Sequence, residues 1–209
     1  MSASVAPLPI LGLLLAGGKS RRMGGGDKCL RELAGRPILG HIIDRIRPQV
    51  SGLLLNANGD PERFAEFGLP VVADSVPDFA GPLAGVLAGL EWAATHAPDA
   101  PWVLSVPTDA PFLPHDLARR LFHACDGHRA DMACAASDGR SHPVVGLWPV
   151  RLARNLRRAL VDDGIRKVDE WTAQYRLATV EFPADPIDPF FNTNRPEDLA
   201  EAERLLAAE

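Results

Sequence analysis

Short apolar runs alternate along this chain with stretches in which apolar residues recur every three or four positions. The short runs are typical of buried strands, and the spaced apolar residues are typical of helices that cover a sheet. This alternation predicts a three-layer α/β/α fold with a mostly parallel sheet. The predicted strands are residues 11–16, 53–56, 71–73, 102–106, 132–136, 144–148 and 177–181. The predicted helices lie near residues 39–46, 83–90, 114–125, 150–161 and 196–208.

The composition fits one domain over residues 1–209 and limits the functions open to it. Of the 209 residues, 46% are hydrophobic and 23% are charged, which is enough apolar material for one α/β core. The formal net charge of -5 argues against nucleic-acid binding, because that needs many Lys and Arg contacts to phosphate. Three cysteines without Cys-x-x-Cys spacing indicate neither a disulfide framework nor a structural zinc site. The apolar residues 5–16 are too few to span a bilayer, so we expect a cytoplasmic protein that makes no membrane contact.

The first predicted strand runs directly into a loop that is rich in glycine and basic residues. Glycine lets backbone N–H groups come close to a ligand, and cationic side chains add further donors for phosphate oxygens. The loop contains the glycines Gly17, Gly18 and Gly24 to Gly26, and the cations Lys19, Arg21, Arg22 and Lys28. Its spacing fits neither the P-loop pattern G-x-x-x-x-G-K-[ST] nor the dinucleotide pattern G-x-G-x-x-G. The loop therefore predicts a polyphosphate site of another kind.

Polar residues lie at the ends of the next three predicted strands, where the carboxyl edge of a parallel sheet collects ligand sites. Asn56 ends the second strand, Asp74 follows the third and Asp109 follows the fourth. Pro107 and Pro111 bracket Asp109 in a stiff turn, and a rigid carboxylate suits Mg²⁺, which prefers oxygen ligands. On spacing alone, Asp109 could equally cap the helix that follows. Asn56 could likewise form only a strand-end turn, and Asp74 only a cap.

The chain resembles a known family over the segment LLLAGGKSRRMGGGDKCL, residues 13–30. That segment is similar to the signature L-A-G-G-x-S-x-R-M-G-x-D-K of the molybdenum cofactor guanylyltransferases, the MobA family of nucleotidyltransferases. Later segments extend the resemblance over nearly the whole chain: V-P-T-D-A-P-F-L-P, G-P-L-A-G, S-H-P and F-N-T-N-R-P. The resemblance implies a Rossmann-like nucleotidyltransferase fold of the nucleotide-diphospho-sugar transferase type. It also implies transfer of GMP from GTP to molybdenum-molybdopterin, with release of pyrophosphate.

The resemblance further implies a role for individual residues. The catalytic residues would be Lys28, Asp109 and Arg22, and Asp109 would bind Mg²⁺, for which Mn²⁺ could substitute. The co-substrate GTP would contact Leu15, Ala16, Gly17, Gly18, Lys28, Asn56, Asp74 and Asp109. The pterin would contact Gly81, Pro82, Leu83, Asn192 and Asn194. The amino-terminal half would thus bind nucleotide and the carboxyl-terminal half the pterin.

Purely structural roles remain possible for residues of the later segments, and the resemblance also implies protein partners. Asn192 and Asn194 could merely cap the last helix, and a lone histidine such as His142 is more often structural than catalytic. Proteins that deliver molybdopterin or mature molybdoenzymes would be partners of such an enzyme.

Other functions stay open at this point. The same loop and fold would serve a cytidylyltransferase for the same pterin, or a nucleotidyltransferase that acts on a sugar phosphate. A nucleotide-binding regulatory protein would keep the fold without catalysis, although the presence of both Asp109 and Lys28 favours an enzyme. Comparing GTP with CTP, and molybdopterin with sugar phosphates, would separate the enzymes. Release of pyrophosphate from GTP would separate an enzyme from a regulatory protein.

Overall fold

A computed structural model describes residues 8–17, 27–76, 81–127 and 130–207. Its first elements are β1 Leu8–Leu15, β2 Glu32–Leu33, β3 Arg36–Pro37, α1 Ile38–Ile46, β4 Val50–Asn56, β5 Val71–Val72, α2 Pro82–His96 and β6 Trp102–Pro107. The chain continues with α3 Leu117–Gly127, β7 Met132–Ser137, β8 Arg140–Pro149, α4 Ala153–Val161, α5 Val168–Thr172, β9 Leu177–Phe182 and α6 Pro196–Leu206. Short 3-10 helices cover Lys28–Leu30, Arg47–Gln49, Pro61–Phe67 and Val150–Leu152.

The main sheet in the described ranges has seven strands in the order β5-β4-β1-β6-β8-β7-β9. Neighbouring strands are parallel except at β8, which runs antiparallel to both β6 and β7. Strand β1 lies between β4 and β6, with Leu13 opposite Leu54 on one side and Ser105 on the other. The carboxyl ends of β4, β1 and β6 therefore lie side by side, and we call this place the carboxyl edge. The mostly parallel sheet predicted from the sequence is confirmed.

Helices cover both faces of the sheet. Successive residues of a strand point to opposite faces, so Ile10 and Leu14 of β1 pack in one apolar cluster and Leu11 and Leu13 pack in the other. Residues of α1, α3 and α6 join the first cluster, and residues of α2, α4 and α5 join the second. The predicted three-layer α/β/α class is therefore confirmed.

Two glycines let α2 lie close to the sheet. A methyl group added at Gly89 would lie 2.5 Å from Leu13 Cδ2, and one added at Gly85 would lie 2.3 Å from Asn56 Oδ1. Glycine within a helix costs about 1 kcal/mol relative to alanine. That cost is offset here by the close packing of the helix against β1 and the end of β4.

Two helices begin later than the sequence predicts. The helix expected from residue 114 begins at Leu117 because the side chain of Gln49 occupies its first turn. Gln49 Nε2 donates to the Pro114 carbonyl at 2.8 Å, and the Ala118 amide donates to Gln49 Oε1 at 2.9 Å. The helix expected from residue 150 opens with a 3-10 turn before α4.

Strand β8 is longer than predicted and forms a hairpin with β7. It begins at Arg140 rather than at residue 144, because a two-residue turn at Asp138 and Gly139 returns the chain at once. Both turn residues have positive φ, 49° and 69°, which is the backbone conformation of a tight hairpin turn. The short β2–β3 hairpin, α5 and the 3-10 helix Pro61–Phe67 were not predicted from the sequence.

The thiols of Cys29, Cys125 and Cys134 are buried and free. Burial raises the pKa of Cys29 and of Cys125 to about 11, so both stay protonated near neutral pH. In the part of the chain that the structure describes, no helix has the length and apolar character needed to cross a bilayer.

Candidate active site

Hydrogen bonds join the ends of the three central strands at the carboxyl edge. The Thr108 amide and hydroxyl both donate to the Leu15 carbonyl, at 3.3 and 3.0 Å. On the other side of β1, the Ala16 amide donates to the Asn56 carbonyl at 2.9 Å. These bonds bring together three of the residues predicted to bind nucleotide and the turn that carries Asp109.

Lys28 and Asp109, both predicted to be catalytic, face each other at this edge. Lys28 Nζ lies 3.6 Å from Asp109 Oδ2, and the two side chains are 24% and 25% exposed. Lys28 Nζ also donates to Asn194 Oδ1. Burial raises the pKa of Asp109 above its ordinary value, and the charge of Lys28 opposes that rise. The pair presents a carboxylate and an ammonium together, an arrangement that suits a phosphate ligand and its divalent cation.

The turn that carries Asp109 is held by Thr193, from the far end of the chain. The Thr193 amide and hydroxyl donate to the Asp109 carbonyl at 2.8 and 3.1 Å, and Thr193 is 2% exposed. The first turn of α3 is capped by Gln49 instead of Asp109, whose carboxylate pairs with Lys28. Sequence reasoning missed Thr193, although its place between two predicted asparagines could have drawn attention to it.

Asn56, Asn58 and Asp74 form a hydrogen-bonded group beside the end of β4. Asn56 Nδ2 donates to Asp74 Oδ1 at 3.0 Å and to the Val72 carbonyl at 3.2 Å. Asn58 Nδ2 donates to Asp74 Oδ2 at 2.7 Å, and the Asp74 amide donates to Asn58 Oδ1 at 2.9 Å. Both carboxylate oxygens of Asp74 are thus fixed, with lone pairs left to accept from a ligand. Sequence reasoning gave Asn58 no role of its own.

The residues predicted to contact the pterin fall in two segments, 81–83 and 192–194. Gly81 precedes α2, and the side chain of Leu83 is 1% exposed within the apolar core, which leaves only its backbone for a ligand. Asn192 is exposed, and Asn194 accepts from Lys28. The start of α6 is capped by Asp198, whose Oδ2 accepts from the amide of the N-cap residue Arg195 at 2.8 Å and from the Asn194 amide at 2.9 Å.

His142 belongs to a part-buried polar chain. Its Nε2 lies 2.8 Å from Ser137 Oγ, which in turn donates to Asp188 Oδ1 at 2.9 Å. The imidazole also packs on Phe190, with 4.6 Å between ring centroids. Burial lowers the pKa of His142, so the ring is held neutral in this packed position. These contacts agree with the structural alternative for this histidine.

Part of the predicted site lies outside the described residues, namely Gly18, Arg22 and the rest of residues 18–26. Among the residues that are described, no three His, Cys, Asp or Glu side chains are grouped closely enough to hold a metal ion. A divalent cation at Asp109 would therefore share that carboxylate with phosphate oxygens and water, which is the coordination that Mg²⁺ commonly takes. The residues present fit such an ion.

Comparison with known families and proteins adds to this geometry. Residues 12–178 match the MobA-like NTP transferase domain. A protein of Rhodopseudomonas palustris named molybdenum cofactor guanylyltransferase is 64% identical over 193 residues, which cover 92% of this chain and 92% of the relative. A Bradyrhizobium protein of the same name is 62% identical over 198 residues, covering 95% of this chain and 93% of the relative.

Solved structures share the fold at low sequence identity. The molybdopterin-guanine dinucleotide biosynthesis protein A of Archaeoglobus fulgidus has a TM-score of 0.72 and 21% identity, over 95% of this chain and 100% of that chain. A CMP:2-keto-3-deoxy-manno-octonic acid synthetase complexed with CTP has a TM-score of 0.71 and 13% identity, over 95% of this chain and 98% of that chain. These likenesses confirm the predicted nucleotidyltransferase fold.

Proposed function

This chain belongs to the molybdenum cofactor guanylyltransferases of the MobA-like NTP transferase family, and we propose that it transfers GMP from GTP to molybdenum-molybdopterin. The products are the guanine dinucleotide form of the cofactor and pyrophosphate. The approach of Lys28 to Asp109, 3.6 Å apart at the carboxyl edge, carries this proposal because it joins a phosphate-binding cation to a metal-binding carboxylate.

The group of Asn56, Asn58 and Asp74 selects guanine in this proposal. Guanine presents N1–H and an exocyclic amino group beside a carbonyl, and the fixed carboxylate of Asp74 can accept from both donors. Cytosine lacks a ring N–H donor at the matching place. A site built to hydrogen-bond one base rejects a base that lacks those groups far better than an apolar pocket does.

The nucleotide phosphates lie over the end of β1 in this proposal. Backbone groups of Leu15, Ala16 and Gly17 lie beside these phosphates, and Lys28 neutralises the charge of the departing pyrophosphate. The acceptor phosphate of the pterin is already anionic near neutral pH, so it attacks without a dedicated general base. Positioning of the two phosphates therefore supplies most of the rate enhancement. Gly18 and Arg22 keep their predicted roles in this loop.

Asp109 would hold the divalent cation, Mg²⁺ in this proposal with Mn²⁺ as a substitute. When bound, that ion polarises the α-phosphate of the nucleotide. Residues 81–83, with Asn192 and Asn194, contact the pterin from the other side of the site. The hydrogen bond from Lys28 to Asn194 supports an arrangement in which these two sides are adjacent. Cytoplasmic location and protein partners that deliver or receive the pterin stay predictions.

The proposal is tested by incubating the protein with Mg²⁺, GTP and molybdenum-molybdopterin and identifying the guanine dinucleotide by mass. We expect little product with CTP or with a sugar phosphate as acceptor. Replacing Asp109 by alanine should lower turnover about 10² to 10³-fold, by analogy with the loss of one preorganised electrostatic group.

A matched control is Asp44→Ala, which removes a carboxylate that is 61% exposed and paired with Arg36 on the surface. That variant should keep wild-type turnover. Near-normal turnover of Asp109→Ala in saturating Mg²⁺ would reject the role of Asp109. Efficient use of CTP would instead support a cytidylyltransferase.

A further inference from the structure

The guanidinium of Arg63 lies between two parts of the site and donates hydrogen bonds to three groups. Its Nε donates to Asp27 Oδ2 at 2.5 Å, its Nη2 donates to the Asn58 carbonyl at 2.6 Å, and its Nη1 donates to the Asp60 carbonyl. The side chains of Arg63 and Asp27 are only 28% and 21% exposed, so this ion pair is largely shielded from solvent. Gly59, with φ of 90°, lets the guanidinium lie close to the backbone, since a methyl group there would be 3.2 Å from Nη1.

On one side, Arg63 fixes the residue that precedes Lys28. Asp27 occupies the N-cap position of the short helix Lys28–Leu30, where an aspartate ordinarily accepts from that helix's own backbone. Its side chain makes no such capping bond here and binds Arg63 instead. The position of Lys28 is therefore tied, through Asp27, to the guanidinium.

On the other side, Arg63 fixes the residues proposed to select the base. The Asn58 carbonyl accepts from Arg63, while the Asn58 side chain exchanges two hydrogen bonds with Asp74. An unbroken polar path thus runs from the residue before Lys28, through Arg63 and Asn58, to Asp74. The 3-10 helix Pro61–Phe67, which carries Arg63, contributes to both ends of the nucleotide site through this one side chain.

We propose that Arg63 is a positioning residue for the nucleotide: it sets the distance between the phosphate-binding Lys28 and the base-selecting Asp74. This inference rests on the proposed function of the same site. The base and the phosphates of GTP must be bound at once. Loss of the Arg63 hydrogen bonds to Asp27 and Asn58 therefore weakens GTP binding and leaves the affinity for the pterin unchanged.

An arginine is required for this arrangement. Its planar fork can donate to a carboxylate and to two carbonyls at the same time. Lysine would keep a cation for Asp27 but would lose the fork, so Arg63→Lys should fall between the wild type and Arg63→Gln, which removes the charge as well.

The test measures the Kd of GTP directly by calorimetry, together with kcat and the KM of each substrate, for Arg63→Gln and Arg63→Lys. Loss of a charge-assisted hydrogen bond predicts a Kd and KM for GTP that are roughly ten- to hundredfold higher in Arg63→Gln, with the KM for the pterin unchanged. Asp27→Asn should have a similar effect, and adding it to Arg63→Gln should cost little more, because both changes break one path. Arg119→Gln is the matched control, since that arginine is 61% exposed and pairs with Asp116, three residues before it.

A GTP Kd within about twofold of the wild type in folded Arg63→Gln would overturn the inference. Equal losses of affinity for GTP and for the pterin would also overturn it, because they would indicate that Arg63 stabilises the fold in general and does not position the nucleotide. If Arg63→Gln does not fold, the Arg63→Lys variant answers the same question. Failure of the wild type to form the dinucleotide would reject the proposed function, whereas the comparison of GTP Kd values would still decide the role of Arg63.

Discussion

Gly85 and Gly89 allow the nucleotide site to be perturbed with an internal control. They lie one turn apart on α2 and both face the sheet. A methyl group at Gly85 would lie 2.3 Å from Asn56 Oδ1 and 2.7 Å from Leu15 Cδ2, whereas the three atoms nearest to one at Gly89 all belong to the Leu13 side chain, the nearest at 2.5 Å. The two alanine variants thus introduce the same atom into the same helix, but only Gly85→Ala presses on a residue proposed to bind the base.

The overpacking itself should cost the two variants similar amounts of stability, and Gly85→Ala should also lose the hydrogen bond that Asn56 gives up. Overpacking a well-filled core costs about 1–3 kcal/mol, and replacing glycine by alanine within a helix returns about 1 kcal/mol. The net loss in the free energy of unfolding is therefore between about 0 and about 2 kcal/mol, or up to about 8 °C in Tm for a chain of this size.

Their effects on GTP binding should differ. Asn56 is 2% exposed and held by the Val72 carbonyl and Asp74, so it can yield to the new methyl group only by breaking one of these bonds. A hydrogen bond to a charged group contributes about 1.5–3 kcal/mol, which corresponds to roughly a ten- to hundredfold rise in the KM of GTP. In Gly89→Ala the flexible Leu13 side chain yields instead, and the base site is untouched.

The assay combines thermal unfolding with steady-state kinetics in which GTP and the pterin are varied separately. We expect Gly85→Ala to raise the KM of GTP and to discriminate less against ITP, which lacks the exocyclic amino group. Gly89→Ala should show wild-type kinetics at a temperature where both variants are folded. If both variants change the KM of GTP equally, Asn56 does not position the base site and the reasoning is refuted.

Three further predictions concern single contacts. Thr193→Val keeps the backbone bond to Asp109 but loses the hydroxyl bond, so kcat should fall roughly two- to tenfold while Thr193→Ser stays near wild type, as steady-state kinetics would show. The indole Nε1 of Trp171 is buried without an acceptor among the described residues, so Trp171→Phe should change the free energy of unfolding in urea by less than about 1 kcal/mol, and a loss above about 3 kcal/mol would contradict this. Arg176 holds the pKa of Asp131 below its usual value, so the ion pair stabilises the fold above the unfolded pKa and this contribution is lost as pH falls through the folded pKa. Denaturation of Asp131→Asn and the wild type from about pH 7 to about pH 3 should therefore show a stability gap that closes in acid.

Local pattern was sufficient to predict the strands of the sheet. Each predicted strand lies within or next to an observed one, because short buried runs of apolar residues carry their own signal. Composition and periodicity were also enough for the three-layer class. The direction of β8 was not predicted, although Asp138-Gly139 is a dipeptide typical of tight hairpin turns and could have indicated it.

Contacts between distant segments could not be predicted in the same way. The sequence placed Asp74, Asn56 and Asp109 at strand ends, where the rule for parallel sheets collects ligand residues. It gave no sign that Arg63 pairs with Asp27, which lies 36 residues earlier in the chain, or that Gln49 caps α3. Such side-chain partners depend on tertiary approach, for which a single sequence carries no periodic signal.

The carboxyl-terminal segment shows how the two halves of the proposed site depend on each other. Thr193 binds the backbone of Asp109, and its neighbour Asn194 accepts from Lys28. Residues 193 and 194 therefore help to hold both the proposed metal-binding carboxylate and the proposed phosphate-binding ammonium at the carboxyl edge. If Lys28 binds phosphate and Asn194 contacts the pterin, as proposed, the two substrates would lie on either side of one hydrogen bond, from Lys28 to Asn194.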